Sequence, residues 1–264
     1  MYNYKLLDNP RKVKANAKSL LLDIKRLLPK YLNCIPDNSA LSILEIVKKT
    51  SKNNCMLETG VGVSTIALFI GSYIKKKKFF SFDTNQDKIS IIKQIINETI
   101  CESLKIKISD YWTPIPTDSL CKYSGIISLK ELRKNFDFCF LDSNHTLNHL
   151  NEELDSFLKL VPKKFYIGVD DAHMNYKKVN LDYINLIRSK ANLKKIKIKD
   201  NISKEFYIEI REKLKKKFKR TKVIKPMNIK SIKNDLYFKY YGNLSFKPGE
   251  RRKHTTVFYK IIKD

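Results

Sequence analysis

Cys55-Met56-Leu57-Glu58-Thr59-Gly60-Val61-Gly62-Val63-Ser64-Thr65, followed by the apolar run Ile66-Ala67-Leu68-Phe69-Ile70, is the stretch whose reading decides the fold. An apolar segment passes through Glu-x-Gly-x-Gly directly into a helical pattern, which reads as strand, tight turn and helix. The chain of 264 residues holds only seven glycines, so two of them one residue apart mark a turn that needs its backbone bare. A helix opening behind such a turn offers N–H groups without intrahelical partners, which a ligand can meet. The third glycine of the dinucleotide fingerprint G-x-G-x-x-G would fall at Thr65 and is absent. Taken alone, the stretch also fits an ordinary strand-to-helix turn that binds nothing.

Outward from the turn, strand and helix alternate. The helical run Ile66–Ile74 ends at the lysines 75–78, whose charge suits a helix C-terminus. Phe79–Asp83 reads as a strand ending in an acid, and residues 85–101 as a helix with Ile89, Ile92, Ile95 and Ile96 on one side. The pattern predicts a third strand at Leu104–Ser109, a loop over Tyr111–Ile127 and a short helix over Ser128–Asn135. Phe136–Asp142 is a buried-strand signal closed by an acid, Leu147–Leu160 a helix, and Phe165–Asp171 a further strand. Alternation of this length means a doubly wound, mostly parallel α/β sheet with helices on both faces.

Two amphipathic helices precede the turn, one over residues 11–30 and one opened by Pro36-Asp37-Asn38-Ser39; core cover is their simplest role. After residue 175 the pattern fades. Val179–Ile187 is helical, Phe206–Leu214 fits helix or strand, and Thr255–Ile262 is a final strand. With no repeat and no low-complexity linker, the chain reads as a single domain. Residues 1–50 are a helical cover, 51–175 a ligand-binding core, and 176–264 a basic region completing the sheet.

Composition bounds the possibilities. The 42% hydrophobic content supports a substantial core. No run approaches the ~20 apolar residues of a membrane span, and the N-terminus lacks the layout of a signal peptide. Five scattered cysteines without a C-x-x-C pair suggest neither a disulfide framework nor a zinc site, so a cytoplasmic location is expected. The net charge of +26 favours anionic partners. Lysine far outnumbers arginine, and isoleucine and asparagine are abundant, a bias that an AT-rich genome also produces.

In open parallel sheets, ligands bind beyond the carboxyl ends of the strands. Four predicted strands end there in Glu58, Asp83, Asp142 and Asp170-Asp171. Asp83 follows the glycine turn by about twenty residues, the separation at which an acid meets a ribose diol. The alternative role for Asp83 is to cap the helix that follows, and the two are compatible.

Glu58-Thr59-Gly60-Val61-Gly62-Val63-Ser64-Thr65, with Asp83 closing the next strand, resembles the class I S-adenosylmethionine-dependent methyltransferases over about residues 40–175. The resemblance places the amino-acid part of the cofactor at Gly60 and Gly62, with Glu58 beneath the turn and Ser64 opening the helix. It places the ribose at Asp83 and adenine contacts at Ser109 and Asp110. Asp142-Ser143-Asn144-His145, with Asp170-Asp171-Ala172-His173, is similar to the metal-dependent O-methyltransferases of the catechol and macrocin types. That implies a divalent ion, Mg2+, on Asp142, Asp170 and Asp171. Crowded carboxylates raise each other's pKa unless a cation compensates, and oxygen ligands suit Mg2+. The same acids also fit a metal-free site, where they cap loops or orient substrate, and Asn144 stands where the sugar enzymes commonly carry a second Asp.

His145 and His173, two of four histidines, follow the acidic strand ends and are candidate bases beside Asp142; His149 lies one turn after His145. The leading expectation is therefore an O-methyltransferase acting on a small hydroxyl compound such as a sugar. A nucleic-acid methyltransferase is the alternative, using Glu212–Lys225 and the aromatics Tyr237, Phe238, Tyr240 and Tyr241. Against it, no Asn/Asp-Pro-Pro-aromatic motif follows the fourth strand. A non-catalytic binding scaffold and a nicotinamide-dependent oxidoreductase stand behind these.

Overall fold

The computed structural model describes residues 10–144, 146–172, 185–186, 188–194, 206–224 and 256–263. Helices α1 (Pro10–Leu27) and α2 (Asp37–Val47) precede strand β1 (Cys55–Thr59). Then follow α3 (Val63–Lys75), β2 (Phe79–Phe82), α4 (Gln86–Ile96), β3 (Trp112–Ile115), β4 (Phe136–Leu141), α5 (Leu147–Phe157) and β5 (Lys164–Val169). The last described elements are α6 (Phe206–Lys217), β6 (Arg220–Ile224) and β7 (Val257–Ile262).

The seven strands form one sheet in the order β3-β2-β1-β4-β5-β7-β6. β1 to β5 are parallel, whereas β7 runs antiparallel between β5 and β6. The chain therefore winds outward twice from β1, first to β3 and then through β4, and the crevice between β1 and β4 is where the direction reverses.

Period-2 alternation divides the strand side chains between two cores. Met56, Phe79, Phe138, Phe140, Tyr166 and Phe258 join α1 to α4 on one face. Leu57, Phe82, Cys139, Leu141, Ile167 and Tyr259 join α5 and α6 on the other. Each fully buried phenylalanine contributes roughly 2–3 kcal/mol, which explains why such short strands hold together.

The third strand departs from the expectation. Leu104, Ile106 and Ile108 alternate like a strand but pack half-buried against the first core while the chain leaves a helix. A π-helical turn at Asn97–Cys101 extends α4, Lys105 ends it in the left-handed region (φ 54°), and Ile108–Asp110 forms a 3-10 turn. The strand lies in what was expected as loop, at Trp112–Ile115, with Trp112 opposite Phe79. The predicted helix at Ser128–Asn135 is a 3-10 helix over Ile126–Leu132. Phe206–Leu214 resolves as helix, and the lysine-rich run that follows includes a strand, β6. The helix expected at Val179–Ile187 and the aromatic group at Tyr237–Tyr241 lie largely or wholly outside the described residues.

Candidate functional site

The glycine turn is held from below by a buried carboxylate. Glu58 is fully buried, and its Oε2 accepts hydrogen bonds from Thr65 Oγ1 and Ser81 Oγ, both at 2.7 Å. Trp112 Nε1 donates to Ser81 Oγ (3.0 Å), and Gly62 N donates to Thr65 Oγ1 (3.1 Å). One polar relay thus runs from β3 through β2 and β1 to the first turn of α3. Thr65, where a dinucleotide site would carry glycine, ties the turn to Glu58. Burial pushes the Glu58 carboxyl up to about 7, against the pull of the surrounding hydroxyls. The Ser64 hydroxyl is buried beside the same carboxylate and adds to that pull.

The free amides expected at the turn are engaged. Gly60 N donates to Phe82 O (2.8 Å), Val61 N to Asp83 Oδ2 (2.8 Å) and Val63 N to Leu32 O (3.0 Å). Asp83 Oδ1 accepts from Asn85 N (2.8 Å), and Asn85, not Asp83, caps α4 by accepting from Lys88 N (3.0 Å). Asp83 is thus a brace between the turn and the second strand, and each of its oxygens keeps a lone pair for a further donor. The segment between α1 and α2 crosses the turn as well as covering the core: besides Leu32 O, it places Cys34 Sγ 4.0 Å from Asp142 Oδ2.

A cavity of about 450 Å3 opens at this edge. Gly60, Asp83, Thr84, Asn85 and Lys88 line one side, and Asp142, Ser143, Asn144 and His149 the other. Thr117, Asp118 and Ser119, the residues that follow β3, close it. Ser109 and Asp110, placed at this edge by the sequence reading, occupy the 3-10 turn before β3, at the opposite end of that strand. The mistaken strand position moved the expected contact to the wrong edge.

Asp142, Asp170 and Asp171 gather at the ends of β4 and β5. Asp142 N continues the ladder to Thr59 O (2.9 Å), and Asp170 N to Leu141 O (3.0 Å). Burial, then the charges of Asp170 and Asp171, lift the Asp142 carboxyl well above the usual range. Burial and Asp171 push Asp170 up to about 8, opposed by hydrogen bonds from Thr256 Oγ1 (2.8 Å) and with Asp142. Asp171 sits in the left-handed region (φ 48°), which aspartate tolerates better than most residues. Among the described residues no group of three or more His, Cys, Asp or Glu side chains has the arrangement of a metal site. Burial is the largest cause of both elevations, and the hydrogen bond with Asp142 holds Asp170 down rather than up.

A second buried carboxylate, missed in the sequence, organises the other side. Glu153 on α5 is fully buried. It accepts hydrogen bonds from Thr59 Oγ1 (3.3 Å), Ser143 Oγ (2.6 Å) and Ser119 Oγ, and His149 Nε2 lies 3.3 Å from its Oε1. Its signal was an acid at a helix position where Leu150, Leu154 and Phe157 mark the buried face. His145 and His173 lie outside the described residues. Of the basic run around Lys213–Lys222, β6 is the far edge strand of the sheet, whereas α6 packs beside α5, where Lys213 Nζ donates to Asn151 Oδ1 (3.2 Å) and Asp155 Oδ2 (2.8 Å).

No family model matches the chain. Over 162 residues it is 28% identical to the chaperone SurA of Buchnera aphidicola subsp. Schizaphis graminum, a match to 58% of this chain and 37% of that longer protein. The chain spans little more than a third of that relative. Solved structures match over nearly the whole chain. The O-methyltransferase from Bacillus cereus in complex with SAH superposes with a TM-score of 0.52 and 17% identity, covering 93% of this chain and 91% of that one. SAH-bound methyltransferase PaMTH1 of Podospora anserina gives 0.52 and 13%, covering 100% and 98%. Cofactor-bound Rv0187 from MTB gives 0.51 and 13%, covering 97% and 98%. In fold, the chain resembles the class I methyltransferases, O-methyltransferases among them.

Proposed function

We propose that this chain, with the fold of the class I methyltransferases, transfers a methyl group from S-adenosylmethionine to a hydroxyl of a small molecule. The observation that carries the reading is that the braced turn at Gly60, the acid Asp83 and the acid Asp142 open into one cavity lined mainly by polar residues. The amino-acid end of such a cofactor would lie over Gly60, the residue of the turn that lines the cavity. Asp83 has acceptor capacity left for two ribose hydroxyls while it holds Val61 N. Asp118 and Ser119, at the true end of β3, take the adenine role that the sequence had given to Ser109 and Asp110.

S-adenosylmethionine supplies an electrophilic methyl group. The residues of this chain then have three tasks: to fix the acceptor hydroxyl in line with that methyl, to take its proton, and to keep the cavity electrostatically suited to the transfer. Asp142, Asp170 and Asp171 are the residues that would hold a divalent ion if one binds, and such an ion would acidify a bound hydroxyl. Calorimetric titration with S-adenosylhomocysteine tests the reading. Micromolar binding that Asp83→Ala weakens supports it, and no binding to the folded protein ends it.

A further inference from the structure

Glu153 collects donors from four parts of the chain: the end of β1 (Thr59), the segment after β3 (Ser119), the segment after β4 (Ser143) and, one turn earlier on its own helix, His149. A carboxylate accepts and has no proton to give, so the imidazole nitrogen facing it is the one that carries hydrogen. That nitrogen is Nε2, 3.3 Å from Glu153 Oε1 and 3.3 Å from Ser119 Oγ. A neutral imidazole protonated at Nε2 has its lone pair at Nδ1. His149 lines the cavity together with Asp118, Asp142 and Ser143, and its side chain is only 14% exposed. Its backbone N–H is spent on the helix cap, donating to Thr146 Oγ1 (3.4 Å), so the ring sits in the first turn of α5 at a fixed place.

We propose that His149 is the proton acceptor of this site, locked by Glu153 as the Nε2–H tautomer with its Nδ1 lone pair offered to the acceptor hydroxyl. The inference rests on the methyl-transfer reading above and names the base within it. In the step, the hydroxyl O–H bond breaks and its proton passes to Nδ1. The oxygen's electron pair forms the new bond to the methyl carbon, and the pair of the breaking carbon–sulfur bond returns to sulfur. The positive charge lost from the sulfonium reappears on the imidazolium, next to Glu153. The groups facing His149 favour that outcome. Glu153 through its hydrogen bond, then Asp118 and Glu152, raise the imidazole above its ordinary value, and burial opposes them. Across the cavity lie one cation, Lys88, and the acids Asp83 and Asp142.

The test uses 15N-histidine protein saturated with S-adenosylhomocysteine; with four histidines in the chain, His149→Gln assigns the signal. The expected result is an Nε2–H tautomer whose titration midpoint lies above the ordinary histidine value and falls by about one pH unit in Glu153→Gln. If Glu153→Gln fails to fold, the tautomer of the wild type and its modification by diethyl pyrocarbonate decide. An Nδ1–H tautomer in the wild type, or a midpoint indifferent to Glu153→Gln, overturns the proposal. Diethyl pyrocarbonate separates a base from a clamp. An open Nδ1 is carbethoxylated at His149, whereas a histidine with both nitrogens engaged stays unmodified, and that result also overturns it. Absence of S-adenosylhomocysteine binding in calorimetry brings down the methyl-transfer reading instead, and leaves the tautomer and modification results in the apo protein to be read separately.

Discussion

The β-carbon that Gly60 lacks would lie 1.9 Å from the backbone oxygen of Asp142. The end of β1 and the end of β4 therefore meet through bare backbone, at φ +84° for Gly60. Gly60→Ala has to push back a main-chain carbonyl as well as adopt a left-handed backbone, which alone costs about 1–2 kcal/mol. Urea unfolding should show a loss of about 3–5 kcal/mol. A loss below about 1 kcal/mol would mean that the two strand ends separate freely.

Asp83 holds the turn from outside through Val61 N and Asn85 N. Asp83→Ala should weaken S-adenosylhomocysteine binding by roughly 1.5–3 kcal/mol, the scale of hydrogen bonds to a charged group. Asp83→Asn, which keeps one acceptor oxygen, should fall between. Equal affinities in calorimetry across the series would remove Asp83 from the cofactor site.

Glu58 makes stability pH-dependent in a definite direction. Its folded value of about 7 lies above the ordinary 4.5, so the folded state holds the proton more tightly. The linked stability is fully present below about 4.5 and is withdrawn as pH rises through about 7, on the order of 3 kcal/mol. Asp142 and Asp170 act in the same direction, so the readout is the difference between wild type and Glu58→Gln. The variant curve should be flatter across that window; parallel curves would show that Glu58 ionises normally.

If a divalent ion binds at Asp142, Asp170 and Asp171, Mg2+ should raise the Tm of the wild type, and more so at higher pH, because ion and protons compete. Asp142→Asn should abolish the shift while sparing S-adenosylhomocysteine affinity. A Tm insensitive to Mg2+ at every pH points to a metal-free site.

Lys77 and Asp137 form a buried ion pair (2.7 Å, side chains 1% and 3% exposed), with Thr50 Oγ1, Ser51 N and Asn54 Nδ2 completing the network. It lies at the start of β4, the opposite edge from the cavity. Burial lowers the Lys77 pKa despite the attraction of Asp137. Lys77→Ala strands a buried carboxylate and should cost about 3–5 kcal/mol. Affinity for S-adenosylhomocysteine, measured on the fraction still folded, should not change.

The alternating core and the glycine turn were legible in the sequence because each is a local pattern. Strand-end acids announce themselves as the last polar residue after an apolar run, which is why Glu58, Asp83, Asp142 and Asp170 were found. The third strand was not legible, because Leu104, Ile106 and Ile108 imitate a strand while closing a helix, and Pro114 inside the real one reads as a breaker. This is an edge strand, where a missing N–H is tolerated. Glu153 was not legible for a different reason. A carboxylate among Leu150, Leu154 and Phe157 shows its role only when Thr59, Ser119 and Ser143, up to 94 positions away, come within reach. The link from Thr256 to Asp170 is of the same kind.

The position of β7 governs how the molecule can assemble. Lys164 pairs with Ile262, and Ile262 pairs in turn with Arg220, so the strand made last is inserted between two made earlier. During synthesis, β1 to β5 can build their parallel ladder while the outer edge of β5, carrying Phe165, Ile167 and Val169, waits for its neighbour. Closure over so long a separation is slow, and an unpaired apolar edge is a template for wrong pairing. Until β7 docks, that edge stays open to pairing with another chain. Substitutions in Val257–Ile262 should be felt in the yield of folded protein before they are felt at the cavity.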